Sequence, residues 1–291
     1  MSSLALSLVL SSAIAHALWN LLVKGSRDKS AYIWWMFGQA LLLMLLVVAL
    51  RPMPLTPVPP AVWGLAIAGA ACFAGFHLLN GLAYRQGGDL SLIYPLAQTS
   101  MLWVPLWGVL FLGERLSPLG VAGIALIAGG ALLIQWQRLS WGELLRPLRN
   151  LTDPAVLAAL AAGLAYSFGA LADKAGVSRY PAFDFTFLLV LFMGLFLSLN
   201  LLRPGFFARL RQEWRHSPRR VLLAGPVLMG SFLPFRYGLQ LSRMSYAVPV
   251  RQSSLLVAVL IGVLFLRESC GRIRLLAAGL IIAGVLCLRL G

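Results

Sequence analysis

The chain has 291 residues, of which 60% are hydrophobic and 11% are charged, and its mean hydropathy is +0.85. Soluble domains have about 45–50% apolar and about 25% charged residues, so this composition excludes a soluble globular domain and a disordered chain. The 24 Lys and Arg residues outnumber the 9 Asp and Glu residues, which gives a net charge of +15. Because the cations lie in short gaps between long apolar runs, we interpret them as a signal of membrane topology rather than of nucleic-acid binding.

Ten long apolar runs follow one another along the chain. Their approximate ranges are 2–24, 31–51, 61–85, 90–112, 117–136, 154–174, 182–202, 220–243, 246–266 and 271–290. A membrane-spanning helix needs about 20 apolar residues, and none of the runs alternates as a barrel strand does. We therefore predict an all-α polytopic membrane protein with ten transmembrane helices. Ser117-Pro118 and Asp153-Pro154 carry the residue types that cap and open a helix, at the starts of the fifth and sixth runs.

The first run carries a polar stripe. Ser12, His16, Asn20 and Lys24 recur every four residues, and His16 lies about 12 Å from the end of the run, close to the membrane midplane. Polar groups inside a membrane are costly, so we predict that His16 and Asn20 bind substrate and that His16 couples protons. The alternative is a hydrogen bond between helices that only stabilises the bundle. Ala15-His16-Ala17 resembles a signal-peptide cleavage site, but no basic segment precedes it, so we expect a retained helix.

The third and fourth runs add four candidates. His77 and Asn80 are three residues apart and share a helical face, where core packing is an equally good explanation. Tyr94 and Gln98 flank Pro95 at the start of the fourth run, and a proline there loosens the first turn. We predict that all four side chains line a substrate site.

Two connections differ from the short loops. Residues 138–153 form a linker between a first segment, 1–137, and a second, 154–291. Residues 203–220 hold six arginines, and Phe206, Phe207, Leu210 and Trp214 recur within them at helical spacing. This pattern indicates either a short helix in the headgroup layer or a solvated basic loop.

The second segment adds three candidate site residues. Arg236 lies about eight residues inside the eighth run, too deep to reach the surface easily. A buried guanidinium needs an anion, and because we place Asp173, Glu114 and Glu268 near helix ends, we expect a substrate anion to be its partner. Pairing with Glu114, Glu268 or backbone carbonyls remains the alternative. Arg251 and Gln252 near the start of the ninth run are also predicted to bind substrate, although Arg251 is shallow enough to reach the surface.

The chain contains an internal repeat. Shifted by 154 residues, Pro95–Glu114 lies over Pro249–Glu268 without a gap, and eleven of the twenty positions are identical, including Gln98 with Gln252. The chain is therefore two five-helix repeats, and an odd number of spans per repeat makes the halves inverted about an axis in the membrane plane. Glu114 and Glu268 end the matching helices and are interpreted as structural, as in an ion pair at a helix end.

Loop charge predicts the orientation. The loops after runs 1, 3, 5, 7 and 9 carry 16 Lys and Arg residues, and the opposite side carries 6. The positive-inside rule places the basic face in the cytoplasm. We therefore predict a multi-pass protein of the bacterial inner membrane with both termini in the periplasm.

The chain resembles the EamA-type transporters of the drug/metabolite transporter superfamily. The resemblance is carried by residues 82–96 (LAYRQGGDLSLIYPL), 108–134 (GVLFLGERLSPLGVAGIALIAGGALLI), 246–254 (YAVPVRQSS) and 262–268 (GVLFLRE), and by His16-Ala17-Leu18-Trp19-Asn20. It implies ten helices and transport of a metabolite, whose class varies widely within the family. Many relatives have both termini inside, contrary to the loop charge of this chain. Small multidrug exporters of the superfamily use a glutamate on the first helix, where this chain has His16, which argues against exchange of cationic drugs.

We expect a secondary or facilitative transporter of a small polar or amphipathic metabolite that bears an anionic group. The alternative is a flippase for a lipid-linked headgroup or a phospholipid. An intramembrane enzyme is disfavoured because His16, His77 and His216 are scattered and lack neighbouring carboxylates, and a non-catalytic scaffold is the remaining class. We expect no catalytic residue, cofactor, metal or nucleic-acid partner. Membrane lipids and the substrate are the expected partners, and one chain suffices, although a dimer is compatible with the sequence.

Overall fold

The protein is a bundle of α-helices. The structure, a computed structural model, describes residues 1–52, 56–85, 96–97, 99–134, 152–264 and 272–291, and none of these residues lies in a β-strand. The described helices of the first segment are α1 (Ser3–Lys24), α2 (Lys29–Leu50), α3 (Pro60–Arg85), α4 (Ser100–Leu112) and α5 (Pro118–Leu133).

The second segment contains seven described α-helices. They are α6 (Pro154–Val177), α7 (Ala182–Ser198), α8 (Phe206–His216), α9 (Pro218–Gln240), α10 (Met244–Arg251), α11 (Ser254–Leu264) and α12 (Arg272–Leu290), and a 3₁₀ turn (Leu199–Leu202) extends α7.

Eight stretches of the described chain are long and apolar enough to cross a membrane: α1, α2, α3, α6, α7 with its 3₁₀ turn, α9, α10 together with α11, and α12. Helices α4 and α5 are apolar but shorter. The prediction of an all-α, multi-pass membrane protein is confirmed. The count of ten spans stays a prediction, because the described part of the fourth run covers little more than α4.

Side chains with oxygen acceptors set the starts of several helices. Ser2 accepts a hydrogen bond from the Ala5 N–H at 3.2 Å, and Asp28 accepts one from the Ala31 N–H at 3.0 Å. The predicted caps are confirmed at α5, where Ser117 accepts from the Gly120 N–H at 2.9 Å, and at α6, where Asp153 accepts from the Ala155 N–H at 2.8 Å. Each cap satisfies one of the N–H groups that have no partner within the helix.

The ninth predicted run is two helices rather than one. A turn at Gln252 and Ser253 separates α10 from α11. Pro249 lies just before the turn, and it has no N–H to donate and its ring crowds the preceding turn of helix. The proline therefore weakens the turn of α10 that precedes it, and the helix ends two residues later, at Arg251.

The same turn occurs in the first segment. The Ser253 N–H donates to the Val250 carbonyl at 3.0 Å, and the Thr99 N–H donates to the Leu96 carbonyl at 3.1 Å. These residues are related by the 154-residue shift of the sequence repeat. The backbone is thus turned at matching positions of the two segments.

Contacts between the segments form matching pairs. Helix α3 packs along α6 and α1 packs along α9, while α5 and α12 pack against each other. The 154-residue repeat relates α1 to α6, α3 to α9 and α5 to α12. Under this relation the contact of α3 with α6 corresponds to the contact of α1 with α9, and the contact of α5 with α12 corresponds to itself. The pairs of α4 with α6 and of α11 with α1 are related in the same way.

Helices α5 and α12 approach each other at glycines. A Cβ atom added to Gly130 would lie 2.7 Å from Cγ1 of Ile281, and one added to Gly284 would lie 2.7 Å from the carbonyl oxygen of Gly123. Small residues allow the backbones of membrane helices to come this close.

The arginine-rich segment contains the short helix that the spacing of its apolar residues predicted. In α8, Phe206 and Leu210 are buried, whereas Phe207 is 76% exposed. Glu213 holds the helix in place by accepting from the Asp28 N–H at 2.8 Å, just before α2. Its position in the headgroup layer stays a prediction.

The two ends of the chain meet on one side of the bundle. The N-terminal amino group lies 3.4 Å from the Leu288 carbonyl oxygen, and Arg289 donates to the Ser3 hydroxyl at 2.8 Å. Both termini therefore lie at the same face of the bundle, and the prediction from loop charge also placed them on one side of the membrane. Which side that is stays a prediction.

Candidate functional site

A cavity of about 160 Å³ lies between the two segments. Side chains from α1, α3, α4, α6, α7, α9, α10 and α11 line it. One water molecule needs about 10–15 Å³ on this measure, so the cavity has room for several waters or a small solute.

The cavity brings together most of the predicted site residues. Six of the nine line it: His16, Asn20, His77, Arg236, Arg251 and Gln252. Asn80, one turn beyond His77 on α3, is not among the lining residues. Tyr94 and Gln98 lie outside the described residues.

Arg236 is already neutralised by a carboxylate. Its Nε donates to Oδ1 of Asp173 at 2.8 Å, and both side chains are only 2% exposed. The expectation that Arg236 has no carboxylate partner inside the bundle is therefore wrong, whereas its contact with substrate stays a prediction. That expectation rested on placing Asp173 near a helix end, whereas α6 continues to Val177 and directs Asp173 toward α9.

Arg251 is a cation without a carboxylate. Its Nη2 donates to the Ser231 hydroxyl at 2.9 Å and lies 3.4 Å from Nδ1 of His16. Its guanidinium carbon lies 4.2 Å from the centre of the Phe235 ring. In the described part of the chain no carboxylate oxygen lies within 4.0 Å of it, and its buried Nε makes no hydrogen bond there.

His16 lies at the edge of an aromatic cluster. Its ring packs edge to face against Trp19 with centroids 4.9 Å apart, and Trp19 packs against Phe232 at 5.7 Å. On α3, the Phe76 ring lies 5.2 Å from His77 and 5.3 Å from the ring of Tyr166 on α6. The cavity thus combines a cationic and polar side with aromatic walls, which suit a ligand with one charged group and an apolar body.

Glu114 stabilises a helix start, a structural role of the kind expected, through hydrogen bonds rather than through an ion pair with a described residue. Its carboxylate accepts from the backbone N–H groups of Met244 at 2.6 Å and Ser245 at 3.0 Å, and from the Ser245 hydroxyl. A negative group is favourable at a helix N-terminus, so Glu114 connects the end of α4 to the start of α10. Glu268 lies outside the described residues.

Lys174 closes the end of another helix. Its ammonium group donates to the carbonyls of Leu239 at 2.9 Å and Ser242 at 2.7 Å, where α9 ends. The neighbouring residues Asp173 and Lys174 thus serve different purposes, one inside the bundle and one at its edge.

The EamA-like transporter family matches the chain twice, over residues 3–136 and over residues 153–290. This chain belongs to the EamA-like transporter family. The resemblance noted in the sequence is confirmed, and the protein is a multi-pass membrane protein of this family.

Two further comparisons place this EamA-like transporter among known proteins. It is 40% identical over 81 residues to an "Uncharacterized transporter in cobO 3'region" from Sinorhizobium sp, which covers 26% of this chain. The chain spans 54% of the length of that relative. A crystal structure of another protein superposes with a TM-score of 0.76 at 17% identity, covering 100% of this chain and 98% of the other, and supports the fold alone.

Several cavity residues of this EamA-like transporter were not predicted. They are Trp19, Phe73, Phe76, Ser100, Tyr166, Asp173, Phe232 and Phe235. Tyr166, Ala170 and Asp173 follow helical spacing along α6, so a search for polar residues seven apart would have found the first and last of them. The aromatic residues carry no such signal, because they look like ordinary apolar side chains of a membrane helix.

Proposed function

We propose that this membrane transporter is a secondary or facilitative carrier of a small polar or amphipathic metabolite that bears an anionic group. The observation that carries the proposal is Arg251, whose guanidinium lines the central cavity without a carboxylate among the described residues. A buried, uncompensated charge is costly, and an anionic ligand removes that cost. A carboxylate or phosphate also matches the donor geometry of a guanidinium.

Arg251, and not Arg236, is proposed to receive the anion. Arg236 and Asp173 together carry no net charge. Nε of Arg236 lies 2.8 Å from Oδ1 of Asp173, and both side chains are almost completely buried. A substrate anion at Arg236 would have to compete with Asp173. At Arg251 it would meet a guanidinium whose hydrogen-bond partners among the described residues are Ser231, His16 and Tyr166, none of them a carboxylate.

The aromatic side chains are proposed to select the remainder of the substrate. Trp19 packs against Phe232 and Phe76 packs against Tyr166 around the cavity, and Asn20 and Gln252 add amide groups. Aromatic faces pack against apolar or planar groups, while the amides provide hydrogen bonds that fix orientation. A small carboxylate or phosphate with an apolar or planar body satisfies both kinds of lining.

Alternating access is proposed to arise from rocking of two inverted halves, residues 1–137 and 154–291, joined by the linker 138–153. Three pairs of cavity-lining residues are related by the 154-residue repeat: His16 with Ala170, Trp19 with Asp173, and Ser100 with Ser254. The matching contacts of α3 with α6 and α1 with α9 support the same relation. Sites between inverted repeats, next to interrupted helices, are the common arrangement in secondary transporters.

The orientation is proposed from charge. The arginines of the α8 segment and the loop after α1 lie together, since Arg220 donates to the Gly25 carbonyl and Arg209 lies 3.2 Å from Asp28. This basic face would contact the cytoplasm of a bacterial inner membrane and its anionic lipids, with both termini on the periplasmic side. One chain encloses the cavity, so a monomer suffices for transport.

Uptake into proteoliposomes tests the proposal. A panel of labelled carboxylates, phosphates and their neutral amides should yield an anionic solute that is taken up, and Arg251→Gln should abolish that uptake. Arg251→Lys should retain part of it, because the charge stays while the planar fork is lost. The matched control is Arg289→Gln, at the exposed end of α12. Uptake that is unchanged in Arg251→Gln would contradict the assignment.

Flipping of an anionic lipid is the alternative that the same preparation separates. It is favoured by α8, which presents arginines and the exposed Phe207 beside Trp34 and Trp35, a surface suited to a lipid headgroup. If scrambling of a fluorescent anionic phospholipid depends on Arg251 and no soluble anion is taken up, the protein is a flippase.

A further inference from the structure

The contact between Arg251 and His16 restricts the protonation of His16. A guanidinium only donates hydrogen bonds, so the approach of Nη2 to Nδ1 at 3.4 Å requires Nδ1 to accept with its lone pair. In this arrangement His16 is neutral and its proton is on Nε2. A proton on Nδ1 would place a second positive charge beside the guanidinium and remove the contact.

A substrate anion changes this balance. Nε of Arg251 is buried and makes no hydrogen bond to a described residue, so the guanidinium has an unused donor. A carboxylate that pairs with Arg251 neutralises it and supplies an acceptor beside Nδ1. A proton on Nδ1 of His16 can then donate a hydrogen bond to the carboxylate and no longer lies beside an unneutralised guanidinium.

We infer that carboxylate binding at Arg251 and proton binding at Nδ1 of His16 promote each other, so that the transporter carries an anion together with one proton. The inference rests on the proposed function and adds its coupling. The proton comes from water on the side to which the cavity is open, forms an N–H bond at Nδ1, and returns to water when the anion leaves Arg251. For a monoanion, the two ligands together bring no net charge into the cavity.

The other groups around His16 do not replace Arg251 in this role. His77 on α3 and Tyr166 on α6 line the same cavity, and neither carries a guanidinium. Asp173 on α6 and Arg236 on α9 neutralise each other. Helix α11 contains no titratable residue, and the titratable residues of α2, Lys29 and Tyr32, are not among the residues that line the cavity.

Reciprocal coupling has a defined signature. If each ligand raises the affinity for the other, carboxylate affinity falls as pH rises, by at most tenfold per pH unit for one linked proton. A variant without the titrating group should bind the carboxylate with an affinity that is independent of pH. A variant without the guanidinium should bind the carboxylate much more weakly at every pH.

Titration calorimetry of the full-length protein in detergent tests the inference. Benzoate, phenylacetate and pyruvate serve as carboxylate probes, with benzamide as a neutral control. Repeating each titration in HEPES and in Tris gives the number of protons taken up, because the two buffers differ in ionisation enthalpy. We expect carboxylate binding at pH 7 with uptake of a proton and weaker binding at pH 8.5.

Variants separate the claim that Arg251 binds the carboxylate from the claim that His16 binds the proton. Arg251→Gln should weaken carboxylate binding at least about 30-fold, the effect of losing about 2 kcal/mol of a buried charge pair. His16→Gln and His16→Asn should still bind but take up no proton. His216→Gln, on the exposed end of α8, should behave as wild type.

The outcomes are distinguishable. Binding without proton uptake, or with uptake that persists in both His16 variants, overturns the coupling and leaves the proposed function standing. Absence of binding by every carboxylate, with the variants and wild type equally stable to heat, overturns the carboxylate site and the coupling together.

Discussion

The buried pair of Asp173 and Arg236 should be the costliest polar contact to break in this bundle. Its atoms lie 2.8 Å apart and both side chains are 2% exposed. With charge centres roughly 4 Å apart, the attraction is about 4 kcal/mol at an effective dielectric of 20. Removing one partner leaves the other charge buried and uncompensated, which costs about 3–5 kcal/mol.

We expect Asp173→Leu and Arg236→Met each to lower the free energy of unfolding by about 3–5 kcal/mol. The double variant should lie within about 1.5 kcal/mol of wild type, because it removes both charges and keeps the volume apolar. The assay is reversible unfolding in mixed micelles with increasing SDS, followed by far-UV circular dichroism. A double-mutant cycle then gives the coupling energy directly.

Arg251→Met is the matched control. Because Arg251 has no carboxylate partner among the described residues, its removal should lower the free energy of unfolding by no more than about 1.5 kcal/mol, the contribution of its hydrogen bond, and the loss of a buried uncompensated charge should offset or reverse that decrease. Losses below 1 kcal/mol in both single variants at the pair, or a double variant equal to their sum, would refute the account of the pair.

Three further predictions concern packing, the helix start and the surface helix. Gly130→Ala should lower the free energy of unfolding in detergent by about 1–3 kcal/mol, because the added Cβ would lie 2.7 Å from Cγ1 of Ile281 on α12. Gly129→Ala is the control, because no atom lies within 4 Å of an added Cβ there, and it should be neutral or stabilising. Glu114→Gln should speed amide hydrogen exchange in the first turn of α10, where the carboxylate accepts two backbone N–H groups, and unchanged exchange would contradict its capping role. A spin label at Phe207→Cys should be more accessible to oxygen than to a nickel chelate if α8 lies in the headgroup layer, and one at Arg215→Cys should show the reverse.

The helices and their order follow from the sequence because apolar runs of about 20 residues have few alternatives in a membrane. The caps at Ser117 and Asp153 were equally predictable, since each depends only on neighbouring residues. His16 and Arg251 could be proposed individually as polar residues inside spans. Their contact could not, because it depends on how α1 and α10 pack, and no local pattern records that.

The partner of Arg236 shows where sequence reasoning fails. A shift of three residues in the end of α6 moves Asp173 from a predicted boundary into the helix, and boundaries are the least certain feature of a sequence-based assignment. A carboxylate at the end of a membrane helix faces water, whereas one that lies a turn further inside can contact a buried arginine, as Asp173 does. The aromatic lining was missed for a related reason, since the composition of a membrane helix does not distinguish a cavity wall from a lipid-facing surface.

The central claim, that the cavity is a substrate path opened alternately to the two sides, is tested most directly by cysteine accessibility. Cys72, Cys270 and Cys287 would be replaced by alanine, and Ser100→Cys and Ser254→Cys, at repeat-related positions of the cavity, would be introduced singly. A membrane-impermeant thiol reagent would be applied to right-side-out and to inside-out vesicles. The control is Ser12→Cys, whose serine is buried in the contact of α1 with α9.

The account predicts that both cavity cysteines react from each side, that the control reacts from neither, and that a transported anion slows the reaction. Cysteines that react from one side alone under every gradient tested, or from neither side, would contradict it.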